Sequence, residues 1–145
     1  MAKKKAAGKY DLVIKAKGTS NRILEIGQGG IRMESTSKGA ARGRLYNGIH
    51  WDTVEATMQP DGTAQFNVKY IQITNKGEMV TGTGIGTQQP TNSKGIAKFT
   101  GDGSMWTSSP RLSKLNGGRW TCEGEYDMGK ETAEIRVKFE TSITS

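Results

Sequence analysis

Cysteine is nearly absent from this chain: Cys122 is the only one in 145 residues, so no intrachain disulfide can form. A small secreted domain ordinarily needs such staples, and the expectation is a reducing, cytoplasmic setting. Histidine is equally scarce, with His50 alone. One cysteine and one histidine without a ligand-spaced cluster make no zinc set, so neither a metal nor a cofactor is expected. Long apolar runs are missing as well. Nothing approaches a membrane span, and the lysines at positions 3 to 5 are followed by Lys9 and Asp11 rather than by the apolar stretch of a signal peptide. No membrane insertion is expected. Helical apolar spacing is lacking in any window longer than about ten residues, which leaves only residues 109–115 with room for a short helical turn.

Glycine, by contrast, is abundant, with twenty against three prolines. The glycines follow no collagen-like period and punctuate alternating segments, as turns and tight strand crossings do. The alternation is clearest over residues 133–140, where Ala133, Ile135, Val137 and Phe139 interleave with Glu134, Arg136, Lys138 and Glu140. That is one buried face and one wet face. Tyr10, Leu12, Ile14 and Ala16 repeat it, with Val13 the one apolar residue on the outer parity. Strands are expected also over 22–26, 30–36, 41–46, 49–59, 63–74, 78–88, 95–101 and 119–128. Asn47-Gly48 is a hairpin signal, Pro60-Asp61-Gly62 a tight turn, and Asn75-Lys76-Gly77 a three-residue loop. Asn116-Gly117-Gly118 and Met128-Gly129-Lys130 continue the series. The fold class that follows is all-β, an antiparallel up-and-down meander closed into a small barrel of about eight to ten strands, with a β-sandwich as its competitor. Residues 1–8 read as a basic flexible tail and residues 9–145 as a single β-barrel domain.

Two segments change phase midway. Ile49 and Trp51 share one parity, whereas Val54, Ala56 and Met58 take the other; Phe66, Val68 and Tyr70 likewise give way to Ile71 and Ile73. Either a bulge re-aims the side chains or both faces are covered, by a terminus or a second subunit. The run Gly82-Thr83-Gly84-Ile85-Gly86 places three glycines on one face, which suggests sharp coiling or a bulky group pressed on the backbone, with Trp51, Trp106 or Trp120 as suppliers of the bulk. It lacks the lysine and the following helix of a phosphate loop.

Charge is uneven. Residues 1–50 hold 11 Lys/Arg and 3 Asp/Glu (+8), and residues 51–145 hold 10 and 11 (−1), so the basic character of this protein lies in its front third. Such a block reads first as a solvated face and second as a contact for nucleic acid, an anionic membrane or an acidic partner protein.

Chemistry-bearing residues are few. His50 and Asp52 stand two apart, hence on one face of a regular strand, where a carboxylate can orient an imidazole as a base. The competing reading places both in solvent after the Asn47-Gly48 turn. Arg119, Thr121, Glu123, Glu125 and Asp127 form the outer parity opposite Trp120, Cys122, Gly124 and Tyr126, and Cys122 reads as an inert buried thiol. Residues 104–118 interrupt the strand pattern and bring Trp106, Arg111, Lys114 and Asn116 to one loop. That loop is either the rim of a cavity or a lid plugging one barrel end with Trp106 and Leu115.

The glycine-punctuated meander, above all residues 82–86, 95–102 and 124–127, resembles the barrels of the allene oxide cyclase and dirigent-like group over about the last two-thirds of the chain, and is also compatible with lipocalin-like barrels. The resemblance implies binding of a small apolar molecule, and sometimes steering of its cyclisation or coupling; it places no catalytic residue here. Independently, about eight strands enclose room for side chains or one small ligand, with aromatic walls. Ligand binding in the lumen is therefore expected at Trp51, Tyr70, Trp106, Arg111, Trp120 and Tyr126, with His50 and Asp52 as a polar site. The alternatives are an oligomeric structural protein, a basic nucleic-acid-binding barrel, which is not favoured, and a cyclase- or isomerase-like enzyme; the balance lies against an enzyme.

Overall fold

Period-two alternation leaves each strand with one apolar face, and a single sheet can hide that face only by rolling up on itself. The computed structural model, which describes residues 9–140, shows this: β1 (Leu12–Gly27), β2 (Gly30–Gly43), β3 (Asn47–Met58), β4 (Ala64–Thr74), β5 (Met79–Gln88), β6 (Ile96–Thr107), a 3₁₀ turn (Ser113–Leu115), β7 (Gly118–Asp127) and β8 (Thr132–Glu140). Each strand pairs antiparallel with the one before it, and β8 returns to β1, so the sheet is a closed eight-stranded barrel. The tail expected over residues 1–8 lies outside the described residues.

Ten expected strands become eight because the first four segments fuse in pairs. Residues 22–26 continue β1, and 30–36 and 41–46 belong to β2 up to Gly43. Register shifts at Gly18/Ser20 and at Ile23/Glu25 bend β1 without ending it. Bulges add this coiling to long strands. β1 meets β8 only over Leu12–Lys17, so the outer part of the β1–β2 hairpin overhangs the barrel.

The turns mostly follow their chemistry, although after Met128-Gly129-Lys130 the positive φ falls on Glu131, at 55°, and not on the glycine. Gly62, Gly77 and Gly117 adopt positive φ in the turns expected for them, and Asp61 accepts hydrogen bonds from the backbone and hydroxyl of Thr63. Asn47-Gly48, however, is not the turn. Both residues lie in β3, Gly48 paired with Ala41 and Thr74, while Asn47 Oδ1 accepts the Gly43 N–H at 3.1 Å. The connection is Arg44–Tyr46, and the asparagine braces it from the strand.

Continuous ladders fix which side chains enter the lumen. Leu12, Ile14 and Ala16 of β1, Ala41 of β2, Val80 of β5, Met105 of β6, Trp120 of β7 and Val137 of β8 form the buried core together with Tyr46, Leu112 and Leu115. Each fully buried Leu, Ile, Val or Met contributes about 1.5–3 kcal/mol by leaving water. The orientation expected for residues 119–128 and 133–140 holds, with Trp120 and Val137 inside and Arg119 and Lys138 exposed.

The expected mid-strand bulge does not occur: β3 and β4 keep one register along their whole paired length. What inverts is the chemistry of the lumen. Toward the end bearing the 3₁₀ turn, the inward positions are His50, Asp52, Gln72 and Thr74, all buried. Ile49, Trp51 and Ile71 therefore stand outside, exposed.

Candidate functional site

The inward glycines explain how rings fit inside so small a barrel. A Cβ at Gly82 would overlap the Tyr70 ring, one at Gly84 or Gly103 the Trp120 ring, and one at Gly86 the Phe66 ring. Each missing side chain is thus the seat of an aromatic, and of the three tryptophans proposed to supply that bulk only Trp120 does. Trp51 and Trp106 are 38% and 45% exposed on the outer wall. Tyr70 stacks on His50 with centroids 5.8 Å apart and meets Trp120 edge-on at 6.1 Å.

Around this stack runs a polar relay. Ser37 donates to Asp52 Oδ1 at 2.7 Å. Asp52 Oδ2 lies 2.7 Å from His50 Nε2, Gln72 Nε2 donates to His50 Nδ1 at 3.0 Å, and Tyr46 donates its hydroxyl proton to Gln72 Oε1. An amide nitrogen only donates, so Nδ1 accepts and the ring proton sits on Nε2 facing Asp52. Both ring nitrogens and both carboxylate oxygens are therefore engaged. The relay is a satisfied buried network of the kind that fixes a unique core, and it leaves the imidazole no free ring nitrogen to act as a base on a substrate. The solvent-facing reading of His50 and Asp52 is corrected here: the strand turns its polar parity inward, and the pair is buried. Sequence reasoning missed Ser37, Tyr46 and Gln72; the parity shared by Gln72 and Thr74 in β4 was the available signal.

One end of the lumen is sealed. Leu112 and Leu115 plug it, and the plug is strapped by Glu78, which accepts hydrogen bonds from Thr74, Ser109 and Arg111. Those donors hold the Glu78 carboxyl down to about 2, the guanidinium of Arg111 first among them. Arg111 also donates to the Leu45 carbonyl at 2.8 Å. The loop is thus a lid, formed with Leu115 as expected but without Trp106, which lies in β6 and points outward.

Toward the other end the inward apolar side chains are only half-buried: Val54, Ala56 and Met58 of β3, Phe66 and Val68 of β4, Phe99 of β6. Ala64 and Ala97 beyond them are buried. Tyr126 occupies an inward position of β7 opposite Ala97 and is half-buried. The overhanging hairpin presents exposed Ile23 and Ile26 opposite Met33 and Ile31, on its lumen-side face. At the foot of this mouth the Tyr70 hydroxyl has no hydrogen-bond partner among the described residues, although it is not a sealed polar atom. Burial raises Tyr70 above the ordinary phenol range, as it does Tyr46. Cys122, nearby, is pushed up to about 11 by the same cause and is no nucleophile at neutral pH.

Elsewhere the chemistry is diffuse. Two surface cavities, of about 720 and 610 Å³, have mixed linings: Glu55, Asn67 and Asp102 of the outer wall with Phe66, Ile85 and Cys122 in the first, and Lys15, Lys38 and Glu134 in the second. No group of three or more metal-ligating residues exists among the described residues, and no helix there is long and apolar enough to cross a membrane. Among the described residues, four cations of the front third face carboxylates: Lys15 meets Glu134, Arg22 meets Glu34, Arg32 meets Glu25 and Glu55, and Arg44 meets Asp11.

No protein-family model matches the chain, and no curated protein matches it. Solved structures do. A protein of unknown function from Clostridium acetobutylicum superposes with a TM-score of 0.75 at 14% identity, over 90% of this chain and 95% of that one. A β-barrel-like protein from Acinetobacter baumannii gives 0.71 at 16% identity, over 88% and 91%, and an enzyme from Penicillium herquei 0.59 at 18%, over 88% and 92%. None of these is described as an allene oxide cyclase or a dirigent protein. At such identities the likeness is one of fold: the chain is a small β-barrel similar to barrels that include proteins of unknown function.

Proposed function

We propose that this protein is a binding barrel for a small apolar molecule carrying one polar group. The molecule enters past Ile23 and Ile26, lies between Val54, Ala56, Val68 and Phe99, and sets its polar group on the Tyr70 hydroxyl. One observation carries the reading: the lumen is plugged at one end, while at the other its apolar lining is only half-buried above an unpartnered phenol. A concave apolar site with one or two convergent polar groups is the usual form of a small-molecule site. Binding without turnover is favoured over a cyclase- or isomerase-like activity because the His50–Asp52 pair is fully engaged. An apolar environment-sensitive dye such as anilinonaphthalene sulfonate tests the site. The native barrel is expected to bind it at one equivalent, and Ala56→Trp, which fills the mouth, to weaken binding about tenfold or more. Absence of binding to the native barrel, or unchanged binding by Ala56→Trp, overturns the reading.

A further inference from the structure

The outer wall of β3 to β6 carries large apolar side chains in two adjacent ranks. Ile49, Ile73 and Met79 lie directly opposite one another across β3, β4 and β5. In the next rank Trp51, Ile71, Thr81 and Trp106 follow one another across β3 to β6, with Lys38 of β2 at the near end. Lys38 already lies over the Trp51 ring, 5.4 Å from its centroid. Single exposed apolar residues are ordinary on a protein surface, but a register-matched block is not. Ile49, Trp51, Ile71, Met79 and Trp106 are between 38% and 50% exposed, which leaves roughly 400–500 Å² of apolar side chain in water by typical side-chain areas. With a polar rim such a patch approaches the roughly 800 Å² per partner that a stable interface buries.

We infer that this wall is covered by a second copy of the chain, in a two-fold dimer. An isologous contact requires that the patch be complementary to itself, and the order of side chains meets that condition. With the two-fold axis lying in the interface along β4, Ile71 faces its own copy and Ile73 its own. Trp51 comes over Thr81, the one small side chain of its rank and hence the notch between Ile71 and Trp106. Ile49 meets Met79, and Trp106 receives Lys38, a cation over an indole face. Every member of both ranks finds a partner of fitting size or charge, and no carboxylate is buried. The phase change in β3 and β4 then has one explanation on both sides of the wall: polar residues enter the lumen, and the displaced apolar parity is buried between subunits.

Sedimentation velocity on the full chain from about 1 to about 100 µM tests the dimer, a span suited to an interface of this size. The native chain is expected to pass from monomer to dimer in this range, and Ile71→Glu or Trp106→Glu to weaken association about tenfold or more while circular dichroism remains that of the native barrel. Should either glutamate variant misfold, Trp106→Ser supplies the same comparison. A native chain monomeric throughout, or dimerisation unchanged in the variants, overturns the proposal. So does binding of the monomer to phosphatidylcholine–phosphatidylserine vesicles that these substitutions abolish, for the wall would then be a lipid-facing surface.

Discussion

Asp52 holds its carboxylate inside the barrel with hydrogen bonds from Ser37 and His50 as its support. His50→Ala removes one donor and leaves the carboxylate partly unanswered in a poorly solvated place, which costs about 3 kcal/mol. The expected outcome is a lowered urea midpoint with an unchanged denaturant slope. His50→Gln, which can still donate toward Asp52, is expected to recover part of the loss. The buried phenols act at the opposite end of the pH scale. Tyr46 and Tyr70 are held above the ordinary value of about 10 by burial, so the folded barrel cannot release protons that the unfolded chain gives up near that pH. Their contribution is fully present below pH 10 and declines as pH rises past it. Stability measured from pH 9 to 11 is expected to fall, and Tyr70→Phe to shrink the fall. Absorbance at the phenolate band is expected to show two tyrosines that ionise only on unfolding.

At the scale of elements, the lid between β6 and β7 depends on Glu78, whose carboxyl is depressed to about 2. A carboxyl lowered on folding stabilises above its unfolded value of about 4.3 and loses that contribution as pH falls toward its folded value. Between pH 5 and pH 2.5 the melting temperature of the native chain is expected to drop more than that of Glu78→Gln, and equal drops refute the strap. Strands differ in how plainly their sequence announces them. The strands over residues 119–128 and 133–140 were legible because one face is uniformly polar and the other apolar, and Leu12, Ile14 and Ala16 were legible for the same reason. β3 and β4 were legible as strands but not in their facing, because burial of His50, Asp52, Gln72 and Thr74 in a polar relay reverses the usual assignment. Asn47-Gly48 misled because an asparagine that braces a turn from the strand looks the same in sequence as one that makes it. The glycines of β5 announced that something bulky lay against them; that Tyr70 and Phe66 share the space with Trp120 follows only from cross-strand register, which sequence does not display.

For the whole molecule, the proposed binding site and the proposed subunit interface lie on the inner and the outer surface of the same strands. His50 and Asp52 face inward from β3 while Trp51 faces outward between them, so one wall carries both the satisfied relay and the apolar ranks. The rings seated over glycine tie β4 to β5 and β7 through the interior, and the lid on Glu78 closes only one end. The barrel is packed where it is plugged, and its apolar lining is half-buried where it is not.

The seam between β1 and β8 has a further consequence for how the molecule comes into being. Every other pairing joins strands that are neighbours in sequence, whereas Leu12 must find Val137 across nearly the entire chain. Loop-closure entropy delays such distant contacts until the intervening strands are in place. The six-residue seam is therefore the last stitch in assembly, and until it forms the sheet is an open strip with two unguarded margins. A cell that makes this protein must carry each nascent copy through that interval without letting two strips join edge to edge.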